Sequence, residues 1–145
     1  GYWYELEDMP QAQEAKGILV GDHIYLIGGY KTTALKEIQN YNITTGAWHT
    51  EGELLYATER PALAYHKNII YIFEGDKIQT YNVKTKEIKN FQINLFLKNS
   101  ELFCIDNKLY ILGGAETSET LILPSQHLYC IDLHEFQITA QSDRD

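Results

Sequence analysis

Ile24-Tyr25-Leu26-Ile27-Gly28-Gly29 returns twice along the chain, as Ile70-Tyr71-Ile72-Phe73-Glu74-Gly75 and as Leu109-Tyr110-Ile111-Leu112-Gly113-Gly114. Tyr71 follows Tyr25 by 46 residues and Tyr110 follows Tyr71 by 39, an interval that holds four short strands and their turns. Each run is apolar, β-branched and aromatic, and ends at glycine. That composition suits a strand covered on both faces rather than one alternating between core and water.

A second ladder keeps step with the first. Trp48 stands seven residues after Tyr41, Ile88 seven after Tyr81 and Phe136 seven after Tyr129. Each glycine-terminated strand thus precedes a tyrosine and then a large apolar residue across a turn. Asn42-Ile43-Thr44-Thr45-Gly46 and Asn82-Val83-Lys84-Thr85-Lys86 supply the first two turns, with Asn and Thr side chains able to bond nearby backbone.

A glycine doublet, then Tyr, then Trp seven residues on resembles the kelch repeat of β-propellers, and the resemblance covers essentially the whole chain. The pattern loosens after the first repeat: Glu74 replaces one glycine, and Ile88 and Phe136 stand where Trp is expected. The implied fold is all-β, with three four-stranded antiparallel blades. Propellers close with about four to eight blades, so three amount to half of a six-bladed ring. The open edges call for a second copy, giving a homodimer, or for further blades of a longer chain.

Read in order, residues 1–145 form a single kelch-repeat domain, with blades at about 15–50, 60–93 and 100–140 and an extra outer strand within 1–10. Trp3 with Met9-Pro10 echoes Trp48 with Leu54-Leu55, so the chain enters in mid-repeat and Trp3 to Leu6 is an outermost strand. The first blade is expected to run Lys16 to Val20, His23 to Gly29, Lys36 to Asn42 and Ala47 to Thr50. The second runs Pro61 to His66, Ile69 to Gly75, Lys77 to Val83 and Glu87 to Ile93, with a tight reversal at Glu74-Gly75-Asp76. In the third, Glu101 to Asp106, Lys108 to Gly114, His127 to Leu133 and Glu135 to Ala140 leave a long connection from Ala115 to Gln126.

Composition excludes some partners. With 20 acidic against 12 basic residues the net charge is −8, the wrong sign for nucleic acid. No apolar run reaches the roughly 18 residues of a membrane span. Cys104 and Cys130 are assigned to the first and third strands of the third blade, about 10 Å apart across the strand between them, beyond disulfide reach. They read as free, buried thiols, which fits a reducing compartment.

In antiparallel blades the second-to-third and fourth-to-first connections emerge on one face, the surface that often carries the ligand in kelch proteins. Tyr30, Arg60, Glu74, Asp76 and Glu116 are the candidates there. An arginine before the first strand is a common kelch feature. Arg60 matches it, while Glu14 and Asn99 occupy the corresponding positions and break any ring of arginines. Arg60 can instead pair with an acid such as Glu59 or bond backbone between blades.

The five histidines, His23, His49, His66, His127 and His134, fall in different strands without metal-ligand spacing. No Gly-x-Ser-x-Gly, phosphate loop or fixed nucleophile–base spacing appears. The expected function is a non-catalytic module, without metal or cofactor, that binds a protein or glycan on the loop face. The alternative is part of a kelch enzyme of carbohydrates, resembling sialate mutarotases or galactose oxidase. The latter's copper site needs histidines and tyrosines converging from several blades, and three blades offer no matching set.

Overall fold

The first glycine-terminated run lies inside a four-stranded antiparallel sheet. Its strands are β1 (Gly17–Val20), β2 (His23–Ile27), β3 (Leu35–Asn42) and β4 (Ala47–Thr58), adjacent in that order. The computed structural model describes residues 2–117 and 122–136. The chain divides into two compact units, Gly1–Arg60 and Pro61–Asp145, described separately.

In the first unit Tyr25, Leu26, Ile27, Ile38, Tyr41 and Leu54 are buried, so both ladder tyrosines of this repeat pack inward, as the sequence pattern requires. Tyr41 pairs with Trp48 across β3 and β4, their rings 5.0 Å apart. The Asn42 side chain accepts N–H bonds from Thr44 and Thr45, at 2.9 and 3.1 Å, and holds the turn between them.

β4 continues to Thr58, past the expected end at Thr50. Two register shifts against β3 let it bend and keep pairing as far as Leu35 and Thr58, so polar Glu51-Gly52-Glu53 is strand rather than loop. Trp3 to Leu6, expected as an outer strand, has no strand partner among the described residues. The indole of Trp48 donates to the carbonyl of Glu7 at 3.0 Å.

The second unit contains β5 (Ala62–His66), β6 (Ile69–Asn82), β7 (Ile88–Leu97), β8 (Glu101–Ile105), β9 (Lys108–Leu112), β10 (Ala115–Thr117), β11 (Ile122–Pro124) and β12 (Leu128–Asp132). β5 pairs with residues 69–73 of β6, and β7 with residues 75–81. β6 folds back on itself. The N–H of Val83 donates to the carbonyl of Asn68 at 2.9 Å, although a straight strand would hold these two residues about 50 Å apart. The reversal at Gly75, with φ +69°, makes the two arms of β6 the second and third strands of this repeat.

The same bond occurs in all three repeats. Ile43 donates to Asp22, Val83 to Asn68 and Leu133 to Asn107, each at 2.9 Å. So does the turn: Asn82 accepts from Lys84 and Thr85, and Asp132 from His134 and Glu135, as Asn42 does from Thr44 and Thr45. Lys86 takes φ +68° where Gly46 takes +72°.

The third repeat forms a three-stranded sheet in the order β12-β9-β8. Glu135 and Phe136, expected to open a fourth strand to Ala140, belong to a helical turn at 133–136. Asp132 caps that turn, and Phe136 packs edge-on against Phe91 with ring centroids 5.2 Å apart. Residues 137–140 lie outside the described residues. The core of this unit gathers Tyr71, Phe73, Ile78, Leu97, Leu109, Ile111 and Leu133. Cys104 and Cys130 are free thiols on strands either side of β9, but Cys104 is only partly buried and Cys130 is exposed. β12 lacks a covering outer strand among the described residues, which leaves that thiol open.

Candidate binding face

Tyr30 begins the second-to-third connection of the first repeat. Its backbone exchanges two bonds with Glu14, at 2.8 and 3.0 Å, and it bridges to Ala34 as well. The Glu14 side chain then meets Arg60, Nη2 to Oε2 at 3.5 Å. Glu14 is thus an acid beside Arg60. Both side chains are more than half exposed, so the pair adds at most about 1 kcal/mol and leaves the guanidinium accessible. Tyr30 and Arg60 are therefore linked through Glu14, the residue at Arg60's position in the first repeat.

In the second unit Glu74 and Asp76 flank Gly75 at the β6 reversal. The ammonium of Lys77 sits 3.0 Å from Asp76. Lys77 holds the Asp76 carboxyl below its ordinary 3.8, against a smaller opposing push from desolvation, and Gln92 assists. Gln92 also donates from Nε2 to the Asp76 carbonyl at 3.0 Å. Asp76 forms one end of a groove whose wall is β7 from Gln92 to Phe96.

β7 alternates along this wall. Gln92, Asn94 and Phe96 point outward while Ile93, Leu95 and Leu97 turn in. Phe96 is 45% exposed beside two amides and a carboxylate. The groove therefore offers an aromatic face, hydrogen-bonding amides and negative charge along a sheet edge.

Glu116 lies elsewhere in this unit. The connection from Ala115 to Gln126, expected as a long loop, contains a hairpin of β10 and β11 in which Glu116 stands opposite Leu123. Paired backbone bonds between Ala115 and Lys98, at 2.7 and 3.0 Å, fix its base. Sequence reading missed Glu14, Lys77, Gln92 and Phe96. The period-two pattern of Gln92-Ile93-Asn94-Leu95-Phe96, with an aromatic on the polar side, was the signal available for the last of these.

Among the described residues no group of three or more His, Cys, Asp and Glu converges to hold a metal. His23 engages Asn40 and His66 engages Asn107, at 2.9 and 2.6 Å. No helix among the described residues is long and apolar enough to cross a membrane.

No family model matches the chain. It is similar to the Kelch repeat and BTB domain-containing protein 2 of Ectromelia virus (strain Moscow), with 25% identity over 164 aligned positions covering 94% of this chain. The chain spans 28% of that protein's length. This likeness, together with the antiparallel all-β sheets, fits a kelch-like fold.

Proposed function

We propose that the chain is a non-catalytic kelch-type interaction module that binds a protein segment through its second-to-third connections. The observation that carries this reading is the groove between Asp76 and Phe96, where an exposed aromatic ring lies beside hydrogen-bonding amides and a carboxylate. Exposed aromatics supported by a stiff scaffold are typical anchors of protein recognition. The likeness to a kelch-repeat protein supports the same reading. In it, Glu74 and Glu116 contribute further contacts on the second unit, Tyr30 and Arg60 offer contacts on the first, and a second copy or further repeats complete the ring of blades.

The acidic balance of the chain favours a partner segment with Lys or Arg, attracted at long range and anchored by an apolar side chain on Phe96. The test is a peptide-display selection against the immobilised chain, followed by affinity measurement of the strongest peptide. Asp76→Asn with Phe96→Ala should weaken that peptide about tenfold or more, while Lys67→Gln, at the other end of the strands, should leave it unchanged. Selected peptides indifferent to Asp76 and Phe96, or turnover of a sugar that is lost in Arg60→Ala, would overturn the reading.

A further inference from the structure

At the end of the second unit's strands away from Phe96, the β5–β6 turn, the β8–β9 turn and the helical turn at 133–136 border a cavity of about 280 Å³. Its depth is apolar: Tyr71 and Leu133 are 2% and 4% exposed, and Ile69 is half-buried. Its mouth is polar, formed by half-buried His66 and by exposed Lys67, Asn107 and His134.

The repeat separates what the fold requires from what this cavity adds. The first turn of each repeat closes on a cross-strand pair, Val20 with His23, His66 with Ile69 and Ile105 with Lys108. His66 thus stands where the other two repeats hold Val20 and Ile105. Lys67 follows at the place of Gly21 and Asp106, with left-handed φ of +46°, against +60° and +51°. His134 comes one residue after Leu133, where the first two repeats hold Thr44 and Lys84. Neither imidazole is needed to close a repeat.

Asn107 ties the two sides of the mouth together. Its Oδ1 accepts from His66 Nε2 at 2.6 Å, which leaves the Asn107 amide hydrogens and His66 Nδ1 as the pair's further polar positions. The ionisable groups of the lining are Lys67, the two imidazoles and buried Tyr71, with no carboxylate among the described lining residues. That is the reverse of a chain whose net charge is −8. Asp106, Asp132 and Glu135 lie on the flanking turns outside the lining, and Asp132 is engaged by the backbone N–H groups of His134 and Glu135.

We propose that this cavity binds the phosphoryl group of a small phosphate monoester. Such a group carries nearly two negative charges at neutral pH and three acceptor oxygens. It therefore suits an ammonium, two imidazoles and an amide better than a two-oxygen carboxylate does. Lys67 supplies the fixed charge. His66, with Nε2–H given to Asn107, donates through Nδ1 by taking a proton from solvent there, as histidine does between about pH 5 and 8. The organic body of the ester rests on Ile69 and Leu133, in a volume near the ~300 Å³ lower end of small-ligand sites. What the groove beside Phe96 binds has no bearing on this site, which lies at the opposite end of the strands.

Phenyl phosphate titrated into the full chain at about pH 7, with the ring nitrogens of His66 and His134 followed by NMR, tests the assignment. Both rings should move along one saturating curve, and His66 Nδ1 should shift toward its protonated position. Inorganic phosphate should bind about fivefold more weakly for want of the apolar body, and benzoate more weakly still. His66→Val and His134→Thr introduce the residues that the first repeat carries at these places, so the unfolding midpoint should hold. Each should weaken phenyl phosphate about fivefold or more, whereas Lys31→Gln in the first unit should leave the affinity unchanged.

Rings that do not respond would overturn the proposal, as would variants that bind like the parent. Equal affinity for benzoate would overturn it too, by showing an unselective attraction of anions. Inorganic phosphate as tight as phenyl phosphate would replace the ester with free phosphate. A phosphotyrosine peptide bound about tenfold tighter than phenyl phosphate would overturn the small-molecule assignment in favour of a phosphorylated protein.

Discussion

A methyl group on Gly29 would lie 2.2 Å from the carbonyl oxygen of Glu14. The same backbone exchanges its bonds with Tyr30, so the doublet's second glycine is the place where two chain segments touch. Gly29 also holds φ +113°. Gly29→Ala therefore meets both a backbone clash and a left-handed conformation, and should cost about 3 kcal/mol or more in urea unfolding. Gly113→Ala, at φ +68° with nothing within 4 Å of the added carbon, should cost only the conformational part, about 1 to 2 kcal/mol.

Thr58 offers the opposite sign. Its hydroxyl oxygen is buried and has no hydrogen-bond partner, a desolvation cost with no return. Thr58→Val keeps the shape and removes the hydroxyl, so the unfolding free energy should rise by about 1 kcal/mol. A loss of stability would show that the hydroxyl is satisfied in solution.

Asp76 gives a pH dependence. Its carboxyl is held below 3.8, chiefly by Lys77, so the folded form favours the charged state. That contribution is complete above pH 3.8 and disappears as pH falls through the lowered folded-state value. Lys77→Gln should move the Asp76 midpoint upward, read by carboxyl carbon NMR. Stability curves of the two proteins should differ above pH 3.8 and converge at lower pH.

The two thiols should react unequally. Cys130 is exposed, whereas burial pushes the Cys104 thiol above its ordinary 9.0. A colorimetric thiol reagent at pH 8 should modify one cysteine at least tenfold faster than the other, and Cys130→Ser should abolish the fast phase. Equal rates would contradict the burial of Cys104.

The strands of the repeats were largely legible because both-faced burial writes a dense apolar run, and glycine closes it where backbones meet. Tyr25, Tyr71, Tyr41 and Tyr81 mark buried strand positions, and Asn42 and Asn82 mark turns whose side chains bond backbone as their chemistry allows. Less legible was anything set by neighbours distant in sequence. Polar Glu51 to Glu53 reads as loop because bulged pairing with β3 leaves no local periodicity. Phe136 reads as strand because its spacing fits the ladder, yet contact with Phe91 on another repeat draws it into a helical turn.

The candidate face shows the same division. Arg60 and Asp76 stand out by charge and place in the repeat, but their partners Glu14 and Lys77 follow from folded proximity. Glu14 is 46 residues from Arg60, one repeat interval, but equivalence in the repeat does not by itself say that the two side chains meet. Lys77 is adjacent to Asp76, yet only the reversal at Gly75 brings Asp76 to the wall formed by Gln92 and Phe96.

The threefold repeat is the central claim, and the fold-back of β6 is its least obvious part. Through-hydrogen-bond NMR couplings test it directly, by correlating each donor nitrogen with its acceptor carbonyl carbon. Three equivalent correlations are predicted, Ile43 with Asp22, Val83 with Asn68 and Leu133 with Asn107. Loss of the Val83–Asn68 correlation while the other two persist would mean that β6 does not reverse at Gly75, and would contradict the repeat on which the proposed binding face is built.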